Sequence, residues 1–415
     1  MAVARPNPRR SSVVNSVVAR GSSRAPVHVV AIAEGARVTP VELFLDLVFV
    51  YGFTQVTAFM AEDLTWSGVV RGLCILFALW WLWTGFAWLG NVVRADEGPA
   101  RIVLFAVMAV VFVMDITVPE AFVNFPGGLW GPWVFAACYL LVMLMHNGIM
   151  LYAAREVTRI RNNTLLLLIP TLLATTFFFI AGKQSGLTQT LLWVAAVLIT
   201  YISVYFIRPE GWHLGAASHF AERHGLILII ALGESVVAIG VGVSALPVSW
   251  ELIGASVLGI AVLAAMWWTY FDVVAIAGES LLHNLPDAQR PRMARDAYTF
   301  LHFPMVAGII LMALGLKKVF EHLSDPLYGI GLYALYGGVS LYLLALVAFR
   351  LRGLKTVSVQ RLVVATGLLV LIAAASHLPA LGALLLLTVI MVGLVVYEVF
   401  VFAPVREQVR HGQKE

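Results

Sequence analysis

Long apolar segments follow one another along most of the chain, and short polar stretches separate them. A membrane-spanning helix needs about 20 mostly apolar residues. Twelve segments have about this length, at residues 41–61, 69–90, 102–118, 133–154, 164–182, 188–207, 221–244, 252–277, 299–316, 327–349, 358–376 and 379–403. They lack strict alternation of apolar and polar positions, and lipid does not tolerate open sheet edges. The pattern predicts an all-α polytopic membrane protein with about twelve transmembrane helices.

Composition agrees with a lipid environment. Of the 415 residues, 61% are hydrophobic and 12% are charged, whereas soluble domains are about 45–50% apolar and about 25% charged. The mean hydropathy is +0.91. Because the formal net charge is only +4, composition gives no indication of nucleic-acid binding. We expect membrane lipid, and no nucleic acid, as a partner.

The positions of the basic residues predict the orientation, because Lys and Arg are enriched in the cytoplasmic loops of membrane proteins. With the N-terminus in the cytoplasm, all but four of the 27 basic residues fall on the cytoplasmic side, and the exceptions are Arg71, Lys183, Lys317 and Lys318. An even number of helices then returns the C-terminus to the cytoplasm. The longest internal loop is expected at residues 279–298.

The chain divides into four predicted parts. Residues 1–36 are rich in Arg and Ser, and we expect a disordered cytoplasmic tail, with binding to anionic lipid as the alternative. When the sequence is aligned with itself at an offset of 180 residues, Glu42 aligns with Glu222. At an offset of 185 residues, the similar segments 82–86 and 267–271 align. We therefore predict two parallel six-helix repeats, at 37–208 and 209–404, related by an axis along the membrane normal. A second cytoplasmic tail is predicted at 405–415.

Two acids lie in the first apolar segment. Thr39, Pro40 and Glu42 form the pattern of a capping box, so Glu42 has a structural role that does not exclude a second one. Asp46 lies about 10 Å into the helix, beyond the reach of a cap. We expect Asp46 to face a polar interior or a base from another helix, and a partly solvated acid is the alternative.

A second charged cluster opens the segment at 221–244. His219 and Arg223 share a helix face because they are four residues apart, and Glu222 and His224 flank them. If the two repeats meet at their first helices, Arg223 is the partner expected for Asp46 or Glu42. These residues make up a predicted charge network of Glu42, His219, Glu222, Arg223 and His224.

Glu234 lies twelve residues beyond Glu222, which is about 18 Å deeper in a bilayer core about 30 Å thick. Intramembrane acids are energetically costly and commonly line ion pathways. We therefore predict Glu234, together with Asp46 and Asp272, as candidates for an ion or substrate site. The alternative for Glu234 is a protonated residue with a structural hydrogen bond. Asp115 is a further buried acid.

Other chemistry is not indicated. The chain has no GxSxG, Walker or HExxH pattern in a suitable setting, and its two cysteines, Cys74 and Cys138, lie in apolar segments. We expect no catalytic residues, no cofactor, no metal site and no enzyme activity.

Two stretches resemble a known family. ELFLDLVFV at 42–50 and HFAERHGLILIIALGES at 219–235 are similar to the bacterial low-temperature-requirement protein A (LtrA) family, and the likeness in length and hydropathy spans about residues 37–403. The resemblance implies a multi-pass protein of the bacterial inner (plasma) membrane with a role in growth in the cold. It supplies no substrate, but it makes both acid-bearing segments family signatures.

Two functions fit these features of the sequence. The first is a proton- or cation-linked transporter or ion pathway, with buried acids at the interface of the halves and protons, monovalent cations or a small solute as its cargo. The second is a non-transporting membrane factor for cold adaptation or for sensing the state of the bilayer. A homo-oligomer is compatible with either.

Overall fold

Helices make up almost all of the protein that the structure describes. The computed structural model describes residues 37–93, 98–154, 157–206, 214–243, 247–404 and 406–407. The predicted tail at 1–36, and all of the tail at 405–415 except 406–407, therefore lie outside the described residues.

The helices follow the apolar segments in order. The first six are α1 Pro40–Glu62, α2 Trp66–Leu89, α3 Gly98–Ile116, α4 Gly131–Ala153, α5 Thr158–Ala181 and α6 Gly186–Phe206. The others are α7 Ala217–Val243, α8 Trp250–Phe271, α9 Val274–Asn284, α10 Arg290–Met293, α11 Leu301–Glu321, α12 Gly329–Leu354, α13 Val359–Ala375 and α14 Ala380–Val401. Each of the twelve predicted segments coincides with a helix.

Ten helices in the described residues are long and apolar enough to cross a membrane, if α8 with α9 and α10 with α11 each count as one. The remaining two predicted segments, 102–118 and 358–376, coincide with α3 and with the 17-residue apolar helix α13. The prediction of an all-α polytopic membrane protein is confirmed. The orientation of the chain in the membrane stays a prediction.

One element differs from its prediction. The loop expected at 279–298 is mostly helical, because α9 continues to Asn284 and a new helix begins at Arg290. This new helix, α10, leads into a π-helix at Ala294–Phe300, and the π-helix leads into α11. Polar side chains made this stretch unsuitable as a lipid-facing span, but they do not prevent a helix that packs against protein.

The helix starts have local causes. Thr39 caps α1 and forms the predicted capping box with Glu42, and Pro40 occupies the first turn. Thr65 and Ser249 cap α2 and α8 by accepting hydrogen bonds from backbone amides. Such caps satisfy amide groups that have no partner within the helix.

The most buried of the membrane-length helices are α2, α11 and α12. The backbones of α11 and α12 lie close together, and a Cβ added to Gly308 would lie 2.6 Å from the carbonyl oxygen of Gly338. Small residues allow this contact between helix backbones.

The two predicted halves have a similar order of helix contacts. In the first half, α1 packs on α2 and α3, α3 on α4, α4 on α5, α5 on α6, and α2 on α6. The same order holds in the second half for α7, α8, α11, α12, α13 and α14. The first helices of the halves, α1 and α7, pack against each other.

Candidate functional site

Arg223 occupies the centre of a charge network between α1 and α7. Its guanidinium lies 2.7 Å from Asp46 and 3.4 Å from Glu42, and it donates to the carbonyl oxygen of Phe86 on α2 at 3.1 Å. The side chain is buried, with 1% of its surface exposed. The pairing of Arg223 with the acids of α1, expected from the sequence, is therefore present.

Glu42 has two roles at once. Its carboxylate accepts hydrogen bonds from the amide and the hydroxyl of Thr39, both at 2.9 Å. The same oxygen lies 3.1 Å from Nε2 of His219. The helix cap thus also holds one end of the network, because the capping geometry directs the carboxylate toward α7.

Asp46 is the deeper acid of the network and is fully buried. Its Oδ1 accepts from Arg223 and, at 2.8 Å, from Nε1 of Trp83 on α2. Its Oδ2 has no hydrogen-bond partner among the described residues, and neither has Nε of Arg223. The Arg223 guanidinium also lies 5.6 Å from the centre of the Trp83 ring. Such a contact between a cation and an aromatic face is favourable.

Two residues of the predicted network lie apart from it. Glu222 is exposed, and its carboxylate accepts from the backbone amide of Val38 at 3.3 Å. His224 is buried among aromatic rings, with its ring centre 5.0 Å from Trp83 and 5.2 Å from His302. Successive helix residues differ by about 100° in direction, so the neighbours of Arg223 cannot all face α1.

Glu234 lies at the same helix contact, farther along α7. It is buried, with 1% exposed, and it accepts a hydrogen bond from the Thr54 hydroxyl of α1. Among the described residues no base lies within ion-pair distance of this carboxylate, and Lys317 acts on it electrostatically from α11. Thr54 lies about 12 Å along the helix from Asp46, so the two acid sites are separate.

Asp272 belongs to a different place in the fold. Its carboxylate forms a two-point ion pair with Arg406, at 2.5 and 2.9 Å. This pair lines a cavity of about 140 Å³ beside α8, α12 and α14, together with a second pair between Arg361 and Glu398. The structure therefore does not bring Asp272 together with Asp46 or Glu234.

For Asp115 the sequence predicted burial but no role. This residue lies on α3 with no exposed surface, and neither carboxylate oxygen has a partner among the described residues. A Cβ added to Gly52 of α1 would lie 2.6 Å from its Oδ1. The sequence indicated this residue as an acid inside an apolar segment. Its contact with Gly52 became evident only in the folded structure.

Metal binding finds no support in the described part of the chain. No group of three or more His, Cys, Asp or Glu side chains there could hold a metal ion. Cys74 and Cys138 are both buried and free.

Membrane-length apolar helices around a buried charge network define a polytopic membrane protein with ionisable groups in its interior. Residues 37–396 match the family described as bacterial low temperature requirement A protein (LtrA). The chain belongs to this family.

The comparisons with individual proteins add little about activity. An uncharacterized protein of Rhizobium meliloti (strain 1021) is 28% identical over 296 residues, which are 66% of this chain and 67% of that protein. No solved structure matches the chain.

Proposed function

We propose that this LtrA protein is a proton- or cation-linked transporter or ion pathway that uses the contact between α1 and α7. The observation that carries the proposal is Glu234, a buried acid held by the Thr54 hydroxyl without an ion-pair partner among the described residues. An unpaired buried carboxylate is costly as an anion, so it favours binding a proton or a cation.

The charge network around Arg223 has a second role in this proposal. Asp46 and Glu42 both contact Arg223, and Glu42 also lies within hydrogen-bond distance of His219, so they are not free to bind an ion in this arrangement. A change in the Arg223 contacts would release a carboxylate on the predicted cytoplasmic side of Glu234. The network is then a gate, and Glu234 is the binding site.

The proposal includes two parallel repeats. The polar contacts between α1 and α7 join residues that are 177 to 181 positions apart. These near-constant offsets require α1 and α7 to run parallel and in register, as a two-fold axis along the membrane normal would place them. The equivalent neighbours of equivalent helices support the same arrangement.

The setting follows from the family and the charge distribution. We place the protein in the bacterial inner membrane, with both termini in the cytoplasm and lipid around the exposed apolar side chains. Protons, monovalent cations or a small solute are the proposed cargo. The protein is proposed to catalyse no chemical reaction, and a homo-oligomer is compatible with this arrangement.

Replacement of the buried acid tests the proposal. Purified protein is reconstituted into liposomes, and proton, Na⁺ and K⁺ fluxes are followed with ion-sensitive dyes. Glu234→Gln preserves the side-chain shape and the contact with Thr54, but it removes the charge. We expect flux to fall to the level of empty liposomes.

An acid outside the site provides the matched control. Glu251→Gln changes an exposed acid in the first turn of α8 and should leave flux unchanged. If the wild-type protein carries no flux, or if Glu234→Gln carries as much as wild type, the ion pathway is wrong. A protein that is destabilised by Glu234→Gln and shows no flux would instead favour the non-transporting membrane factor.

A further inference from the structure

A cavity in the first half of the protein is separate from the acids of the α1–α7 contact. It lies between α2, α4, α5 and α6 and has a volume of about 110 Å³. Apolar side chains, including Trp81, Trp88, Leu167 and Pro170, form most of its wall. The cavity is therefore suited to a molecule with an apolar body.

The cavity is covered by a segment of the second half. Pro291, Arg295 and Thr299 line it, and the last two belong to the π-helix at Ala294–Phe300. The indoles of Trp80 and Trp88 donate to the carbonyl and the hydroxyl of Thr299, at 3.1 and 3.0 Å. π-helical turns are frequent at functional sites. This one belongs to the second half, lines the cavity and is hydrogen-bonded to α2 of the first half.

Two buried polar groups in the wall have unused hydrogen-bonding capacity. Nε2 of His146 lies 3.0 Å from the carbonyl oxygen of Gly85. Since a carbonyl only accepts, Nε2 must donate, and Nδ1 of the neutral ring is then an acceptor. Nδ1 of His146 and Oγ1 of Thr84 both lack a partner among the described residues.

Buried polar atoms in proteins nearly always have a partner. His146 is 8% exposed and Thr84 is 3% exposed, and both line the cavity. Each of these two atoms has less than 1 Å² of accessible surface, so a hydroxyl or N–H group of a bound molecule reaches them only after a small movement of the wall. The apolar wall and these two groups together specify the ligand.

The ligand must be small and uncharged. A closed cavity of about 150 Å³ lined by apolar residues binds benzene, and this partly open cavity of about 110 Å³ has room for the apolar body of a molecule of about that size. Arg295 is the charged residue among the described residues of the wall, and its guanidinium is already paired with Asp296 at 2.8 Å. These described residues leave no charge to neutralise a charged ligand.

We propose that this cavity is a binding site for a small neutral molecule of about the size of phenol, bound through a hydroxyl that donates to Nδ1 of His146. Thr84 provides a second hydrogen bond, and the tryptophans contact the apolar body. The site does not depend on the ion pathway proposed above, so the two proposals can fail separately.

The binding test uses two probes that differ by one hydroxyl. The full-length protein in lipid nanodiscs is titrated with 4-fluorophenol and with fluorobenzene, and the bound fraction is followed by ¹⁹F NMR against protein-free nanodiscs. We expect a saturable protein-bound resonance for 4-fluorophenol. His146→Phe, which keeps a planar ring without nitrogens, should weaken its binding by about tenfold, the effect of one buried hydrogen bond. Fluorobenzene binding should stay unchanged in this variant.

Conservative variants decide the outcome. Thr84→Val has the shape of threonine and tests the second hydrogen bond even if His146→Phe does not fold. Thr176→Val and His322→Phe change exposed residues and should bind both probes as wild type does. Absence of a saturable 4-fluorophenol signal would mean that the cavity holds only water and would overturn the proposal. Equal 4-fluorophenol affinities in wild type, His146→Phe and Thr84→Val would overturn it too.

Discussion

Arg223 is the residue on which the charged groups between α1 and α7 depend. It contacts both Glu42 and Asp46, and the three side chains are almost entirely buried. Removal of one member of a buried ion pair leaves an uncompensated charge, whereas replacement of both members by apolar groups is often tolerated. The network therefore makes a prediction that distinguishes a single from a double substitution.

Arg223→Met should lower the free energy of unfolding by about 3–5 kcal/mol, because Asp46 is left with Trp83 as its partner. The double variant Asp46→Leu with Arg223→Met should be more stable than Arg223→Met alone. Unfolding can be followed by the reaction of buried Cys74 and Cys138 with a thiol dye during heating.

A partly exposed pair is the control for this cycle. Lys318 and Glu321 form an ion pair at 2.9 Å near the end of α11, and such pairs contribute about 0–1 kcal/mol. Lys318→Met should therefore leave the unfolding midpoint nearly unchanged. A double variant that is less stable than Arg223→Met would contradict the role assigned to the buried pair.

Some partners of the site residues followed from the sequence and others did not. The contact of Thr39 with Glu42 is local, and its spacing of three residues predicts it. The partners of Asp46 and Glu234 include Trp83 and Thr54, which are 37 and 180 positions away. No periodic pattern identifies such partners, because they depend on which helices pack together and on how each helix is rotated.

At the scale of elements, the approach of α11 to α12 depends on glycine. Gly308 and Gly338 face each other across the contact, and a Cβ at Gly338 would lie 2.6 Å from the carbonyl oxygen of Gly308. Backbone atoms cannot move aside as a flexible side chain can. The helices would have to separate to accept even one methyl group.

Gly338→Ala should lower the thermal unfolding midpoint, because overpacking costs about 1–3 kcal/mol. Gly337→Ala is the matched control. It changes the same residue type on the same helix, and a Cβ there meets nothing within 4 Å. Alanine is a better helix former than glycine by about 1 kcal/mol, so Gly337→Ala should be neutral or stabilising. Equal midpoints for the two variants would show that the close contact does not limit stability.

At the scale of the whole molecule, the orientation in the membrane is still a prediction. It depends on the placement of nearly all basic residues on one side. Two exposed positions on opposite predicted sides can test it: His322, after α11, and Lys355, after α12. The first should lie outside the cell and the second in the cytoplasm.

Single cysteines at these positions, in a Cys74→Ala and Cys138→Ala background, can be labelled with a membrane-impermeant thiol reagent. In intact spheroplasts, His322→Cys should react, whereas Lys355→Cys should react only after the membrane is permeabilised. The reverse labelling pattern would invert the orientation, and labelling of both from one side would contradict the helix count between them.

The sequence alone determined the lipid environment, the positions of the helices and the capping role of Glu42. These features depend on local composition and on spacings of a few residues, which the sequence displays directly. The tertiary structure decided that Asp46 and Glu42 share Arg223, that the exposed Glu222 contacts the Val38 amide instead, and that Glu234 meets Thr54. It also placed Asp272 with Arg406 and formed the cavity beside His146. Each of these contacts joins helices that are far apart in the sequence. It depends on how those helices are rotated and aligned, which is set by packing over the whole bundle.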